Sequence, residues 1–173
     1  MKKEFGTLTT HDFIDPGFVR RKAEEAQEQE AMFERFAEAL VGEIGLHADE
    51  ITDEVNPLYI GGGTPSVLPL HVFESVLDSL SRAGCTSRFK EFTVEVNPED
   101  IVEKGHSYVE ELLRLGVNRI SMGVQSFDDA ILKWMNRRHD SARAVQAYSI
   151  LEECGLDNIS IDLIFGLPQL PSG

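Results

Sequence analysis

Four short apolar runs recur along this chain, at Leu58 to Ile60, Phe92 to Val96, Arg119 to Val124 and Ile159 to Phe165, and stretches with helical spacing separate them. Pro69 to Arg82 sets Leu70, Val72, Phe73, Val76, Leu77 and Leu80 on one face, and Gly84 follows it. Tyr108 to Leu115, Ala130 to Met135 and Ser141 to Cys154 read as further helices, two of them closed by Gly116 and Gly155. Strands joined through helices must run parallel, with right-handed crossovers. The runs read as continuously apolar, which predicts a sheet covered on both faces. The expected class is an α/β sheet of barrel or doubly wound type.

Ahead of the first strand, Met32, Phe33, Phe36, Ala37, Leu40, Val41 and Ile44 recur at three- and four-residue steps. A long amphipathic helix is expected from about Glu24 to Leu46, with Glu24, Glu25, Glu28, Glu30, Glu34 and Glu38 forming a solvated outer face. Residues 1–20 show no such period and read as an irregular segment before a domain spanning 21–173.

Parallel α/β sheets gather chemistry at the carboxyl ends of their strands, so the residues there carry the functional signal. The first strand runs into Gly61-Gly62-Gly63-Thr64-Pro65, the second carries Glu95, the third runs into Gln125, and the fourth places Asp162 between Ile161 and Leu163. Glycines without Cβ atoms let a ligand reach the backbone, although a tight strand-to-helix turn explains them as well. GGGTP is neither a P-loop nor a dinucleotide fingerprint, because it lacks the Lys-Ser/Thr of one and the G-x-G-x-x-G spacing of the other. A carboxylate in a buried strand needs a partner, which for Asp162 and Glu95 is either a structural hydrogen bond or a hydroxylated or cationic ligand. Arg137 and Arg138 could meet a ligand carboxylate, with surface ion pairing as the plainer alternative.

Charge narrows the partners. Acidic residues outnumber basic ones 30 to 16, a net charge of −14, which disfavours nucleic acid. No apolar run is long enough to cross a membrane and none near the start resembles a secretion signal, so a cytoplasmic protein is expected. The two cysteines, Cys85 and Cys154, read as thiols of a reducing compartment. The five histidines, His11, His47, His71, His106 and His139, show no metal-binding spacing and read as surface residues.

LYIGGGTPSVL, FTVEVNPED, GVNRISMGVQSF, NRRH and NISIDLIFGLP, in this order, resemble the motifs of radical S-adenosylmethionine proteins related to oxygen-independent coproporphyrinogen III oxidase, the HemN/HemW family. SMGVQSFDD with MNRRH looks closer to the haem-chaperone branch. The resemblance implies a partial (β/α)6 barrel, here with four strands, and S-adenosylmethionine lying across the strand ends. It implies that Gly62, Gly63 and Thr64 meet the amino acid end of the cofactor, with Glu95, Gln125, Arg137 and Asp162 around the rest and Asp162 and Gln125 on the ribose side.

The family also carries a C-x-x-x-C-x-x-C motif for a 4Fe-4S cluster, which this chain lacks; nor does it contain the family's carboxyl-terminal part. The expectation is therefore a partial radical S-adenosylmethionine protein of porphyrin or haem metabolism, inactive alone. Two alternatives stand beside it. One is a non-catalytic module that binds S-adenosylmethionine, or haem through a histidine such as His139 or His106. The other is an interaction remnant. Four strands leave open edges, for which a second copy, a complementing chain or the acidic helix are the expected covers.

Overall fold

The computed structural model describes residues 16–52, 57–86 and 88–166. The elements are α1 (Pro16–Leu46), β1 (Pro57–Ile60), α2 (Leu70–Arg82), β2 (Glu91–Val96), α3 (Pro98–Arg114), β3 (Arg119–Gln125), α4 (Asp129–Trp134), α5 (Ser141–Glu153) and β4 (Ile159–Leu163), with a short 3-10 turn at Pro65–Val67. Residues 1–15, Leu167 and Pro168 lie outside the described residues, whereas 16–20 already belong to α1. The last strand stops at Leu163, two residues before its expected end.

All strands pair in parallel in the order β1-β2-β3-β4. Consecutive order with crossovers of one hand puts the helices on one side, as in a segment of a barrel and unlike a doubly wound sheet. Phe92, Val94 and Val96 of β2 and Ile120, Met122 and Val124 of β3 enter the core beneath α3 and α5, where Ile101, Leu112, Ala147 and Leu151 meet them.

The expectation of continuously apolar strands, covered on both faces, is corrected here. Between the core residues stand Thr93 and Glu95 on β2, Ser121 and Gly123 on β3, and Ser160 and Asp162 on β4. Side chains on a strand alternate between faces, so this polar set lies together on the face away from the helices. The register confirms it: Tyr59 pairs with Thr93, Glu95 with Ser121 and Ser121 with Ser160.

Helix α3 starts ten residues before the expected Tyr108. Pro98 in its first turn and the acids Glu99 and Asp100 behind it are good helix-start residues. Gly105, at φ 67° and ψ −165°, breaks the helix between this first part and the second, which carries Tyr108, Val109 and Leu112 into the core. Asp128 caps α4 by accepting from the amides of Ala130 and Ile131, and Asp140 caps α5 through the amide of Arg143.

The outer glutamates of α1 are exposed as expected, and the helix packs on α2. It does not close over edge strand β1: a trough of about 580 Å³ remains, lined by Met32 and Phe36 of α1, Leu58 and Ile60 of β1, and Val76 of α2. At the other edge, Ile161 and Leu163 of β4 are 42% and 52% exposed.

Candidate functional site

A polar cavity of about 160 Å³ opens at the carboxyl ends of β2, β3 and β4. Gly63, Thr64, Glu95, Gln125, Arg137 and Asp162 line it, and Asn97, Ser121 and Gly123 complete its walls. Six residues expected from separate stretches of sequence thus meet in one place. Gly62 does not face the cavity; it borders the apolar trough.

Glu95 is the best-held wall. Its Oε1 accepts from the Tyr59 hydroxyl at 2.5 Å and its Oε2 from the Gly62 amide at 2.9 Å. The bond to Glu95 raises the Tyr59 phenol above its usual range, as do desolvation and the Glu95 and Asp162 charges. Gly61 makes this packing possible, since a Cβ there would lie 2.4 Å from the Tyr59 ring and 2.7 Å from the Glu95 carboxyl carbon. The first glycine of the triplet therefore makes room for protein groups, and one of the amides expected to serve a ligand is already engaged by Glu95.

Gln125 sits in the left-handed region at φ 68°, where a side chain with a Cβ is strained. A register irregularity between Met122 and Gln125 puts it there. Its carbonyl accepts from the Ile164 amide at 2.9 Å, and the Ser126 amide donates to the Val124 carbonyl at 2.8 Å. Such an outlier at a strand end is a feature of sites that need a fixed side chain.

Arg137 enters from the loop after α4. One terminal nitrogen donates to Asn97 Oδ1 at 2.8 Å and to the Gly123 carbonyl at 3.2 Å. Its Nε is buried and has no partner among the described residues. Arg138 takes the plainer alternative, donating to Glu99 Oε1 at 3.1 Å and Asp100 Oδ1 at 2.8 Å.

Asp162 requires a correction. It is exposed on an edge strand, so no burial penalty demands a ligand for it. It accepts from the Ser121 hydroxyl at 3.2 Å, and its other oxygen lies 3.4 Å from the same group. What keeps it a site residue is its position in the polar wall.

His139 corrects the view of the histidines as surface residues, and with it the notion of haem ligation there. It is 3% exposed, with Nδ1 2.9 Å from Glu99 Oε2 and Nε2 3.0 Å from the Val124 carbonyl. Neither ring nitrogen is open to a metal. His106 is exposed and paired with Glu153 Oε2 at 2.7 Å. His71, half-buried, approaches the exposed Glu30 and Glu34 at the α1–α2 junction, a grouping that no local sequence spacing reveals. His11 lies outside the described residues.

Tyr59, Asn97, Ser121 and Gly123 were not singled out from sequence. Tyr59 and Ser121 carry the signal of strand alternation, and Asn97 that of a residue between a strand and a helix-starting proline.

The lining has the donors and acceptors that an α-amino acid head group needs. Arg137 offers a guanidinium charge to a carboxylate, and Glu95 and Asp162 offer acceptors to ammonium and hydroxyl groups. At this volume the cavity encloses a head group, leaving a larger ligand to extend along the rim. A 4Fe-4S cluster does not fit the residues present, since the chain has two cysteines and neither lines the cavity.

Residues 18–171 match the Radical SAM superfamily. The chain is 39% identical over 116 residues to the heme chaperone HemW of Lactococcus lactis subsp. lactis (strain IL1403), covering 67% of this chain and 30% of that protein. It is 32% identical over 136 residues to the oxygen-independent coproporphyrinogen III oxidase of Synechocystis sp., covering 78% of this chain and 28% of that protein. Among solved structures it is similar to coproporphyrinogen III oxidase (HemN) from Escherichia coli, described as a Radical SAM enzyme. The TM-score is 0.71 at 29% identity, over 82% of this chain and 32% of that one. The chain thus spans roughly 30% of the length of these curated relatives. Among the described residues no helix is long and apolar enough to cross a membrane.

Proposed function

Because the chain belongs to the radical S-adenosylmethionine superfamily, we propose that its strand-end cavity binds the amino acid end of S-adenosylmethionine, as part of a protein of haem or porphyrin metabolism. The observation that carries this reading is the meeting of Arg137, Glu95 and Asp162 with Gly63 and Thr64 in one polar cavity. A guanidinium beside two carboxylates matches the carboxylate and the ammonium of an amino acid head group.

In this reading Arg137 receives the methionyl carboxylate, while Glu95 accepts from the ammonium with Tyr59 and Gly62 holding it in place. Gly63 and Thr64 border the same head group, and Gly62 acts through Glu95. Gln125 and Asp162 take the ribose hydroxyls further along the rim. In the family the bound cofactor supplies a deoxyadenosyl radical when a cluster reduces it. No such step is assigned to these residues, because the chain offers no three-thiolate set. The role of the chain itself is binding and orientation. Its similarity to HemW and HemN proteins supports haem or a porphyrin as the larger ligand.

Calorimetric titration of the chain with S-adenosylmethionine tests the proposal. Saturable binding, weakened about ten- to a hundredfold by Glu95→Ala and by Arg137→Gln, is expected from loss of charged hydrogen bonds. Absence of binding by the folded chain overturns it.

A further inference from the structure

Three walls of the cavity come from three separate segments, and all of them converge on one buried contact behind it. Asn97 stands two residues before Glu99, Gln125 directly after Val124, and Arg137 two residues before His139. Glu99, Val124 and His139 are the three residues joined there: Glu99 Oε2 at 2.9 Å and the Val124 carbonyl at 3.0 Å flank the His139 ring.

Both flanking groups accept. Burial alone would raise the Glu99 carboxyl, but the His139 bond, its own backbone amide and the His139 and Arg138 charges outweigh it and hold the carboxyl at about 2. An ionised carboxylate and a carbonyl offer no proton, so satisfying both contacts requires a proton on each ring nitrogen. Around the ring, α3 contributes Glu99 and Asp100, and the loop contributes Arg138, whose guanidinium bridges both acids. Arg138 is thereby engaged with these acids, which leaves Arg137 as the cation that lines the cavity.

We propose that His139 is a positioning residue for the cavity, tying the segments that carry Asn97, Gln125 and Arg137 to one point through two donated hydrogen bonds. The Val124 end of the tie bears on the strained Gln125, whose left-handed backbone needs its neighbours fixed. The Glu99 end bears on Asn97, which receives the Arg137 guanidinium at 2.8 Å. His139 thus acts on the ligand through its neighbours and touches no part of it. This inference rests on the cavity being the S-adenosylmethionine site and adds a residue that none of the strand-end positions suggests.

The test compares the chain with His139→Gln, Arg137→Gln and the double variant, titrated with S-adenosylmethionine well below their melting temperatures. His139→Gln should weaken binding about tenfold, because a carboxamide cannot donate in both directions along the ring's span. In the Arg137→Gln background the same substitution should cost clearly less affinity, while lowering the melting temperature by the same amount in both backgrounds. Unchanged affinity in His139→Gln, or an equal loss in both backgrounds, overturns the proposal. If His139→Gln does not fold, heteronuclear NMR of the unsubstituted chain decides. Two slowly exchanging ring N–H protons on His139 are expected, and a ring with one proton overturns the tie. If the unsubstituted chain does not bind S-adenosylmethionine, the cavity reading fails separately. The positioning role is then judged by the Arg137 Nε–H signal, which should lose its protection in His139→Gln and stays unchanged if the role is wrong.

Discussion

Tyr59 of β1 and Glu95 of β2 meet across two adjacent parallel strands at 2.5 Å, phenol to carboxylate, over a glycine whose missing side chain leaves the space for both. Gly61→Ala puts a methyl group 2.4 Å from the ring and 2.7 Å from the carboxyl carbon, so one of them must move. We expect affinity for S-adenosylmethionine to fall about tenfold or more, with a stability loss of about 1–3 kcal/mol from overpacking. Calorimetry and thermal melts on the same sample check both.

Tyr59→Phe removes only the hydroxyl. It should cost affinity through a less firmly held Glu95, by about threefold to tenfold, and leave stability within about 1 kcal/mol. An affinity loss as large as that of Glu95→Ala would mean that Tyr59 touches the ligand itself.

Gln125 and Asn136 both have positive φ, at 68° and 55°. Replacing either by glycine relieves strain, and a gain of about 1 kcal/mol is expected at each. Only Gln125→Gly removes a group from the cavity, so it alone should weaken binding. Urea unfolding paired with titration separates the two effects.

Acid stability should report Glu99. Its carboxyl is held at about 2 in the folded chain against an ordinary value of 4.5, so its contribution is fully present above 4.5 and is lost as pH falls toward 2. Glu99→Gln should flatten the fall in the urea midpoint over that window. A midpoint profile identical to that of the unsubstituted chain would show that the carboxyl is not held down.

The edge strand β4 leaves Ile161 and Leu163 half exposed beside a Phe165 that is 96% exposed. Unpaired apolar edges associate. Sedimentation should show concentration-dependent association of the chain, reduced by Ile161→Lys.

How much of this was legible in the sequence differs from residue to residue. Glu95, Gln125 and Asp162 stand out because polar groups at the ends of parallel strands are where ligands bind. The strand bounds were right to within two residues, since punctuation by glycine and proline is local. The polar face does not show in apolar content alone: EFTVEV is apolar in bulk and splits into two faces only in register. His139 was misjudged for a different reason. Its partner Glu99 lies 40 positions away, in a first helical turn that precedes the apolar period of α3. Long-range pairs of this kind leave no local trace.

On β2 and β3 the even-numbered residues build the core, and the odd-numbered ones stand on the opposite, polar face, where Glu95, Ser121, Gly123 and Gln125 line the cavity. Folding and recognition are therefore written in interleaved letters of the same short words. An engineer can rewrite the odd letters to change what is bound while leaving the even ones alone. A single inserted or deleted residue within either strand, by contrast, exchanges the two alphabets and erases both messages at once.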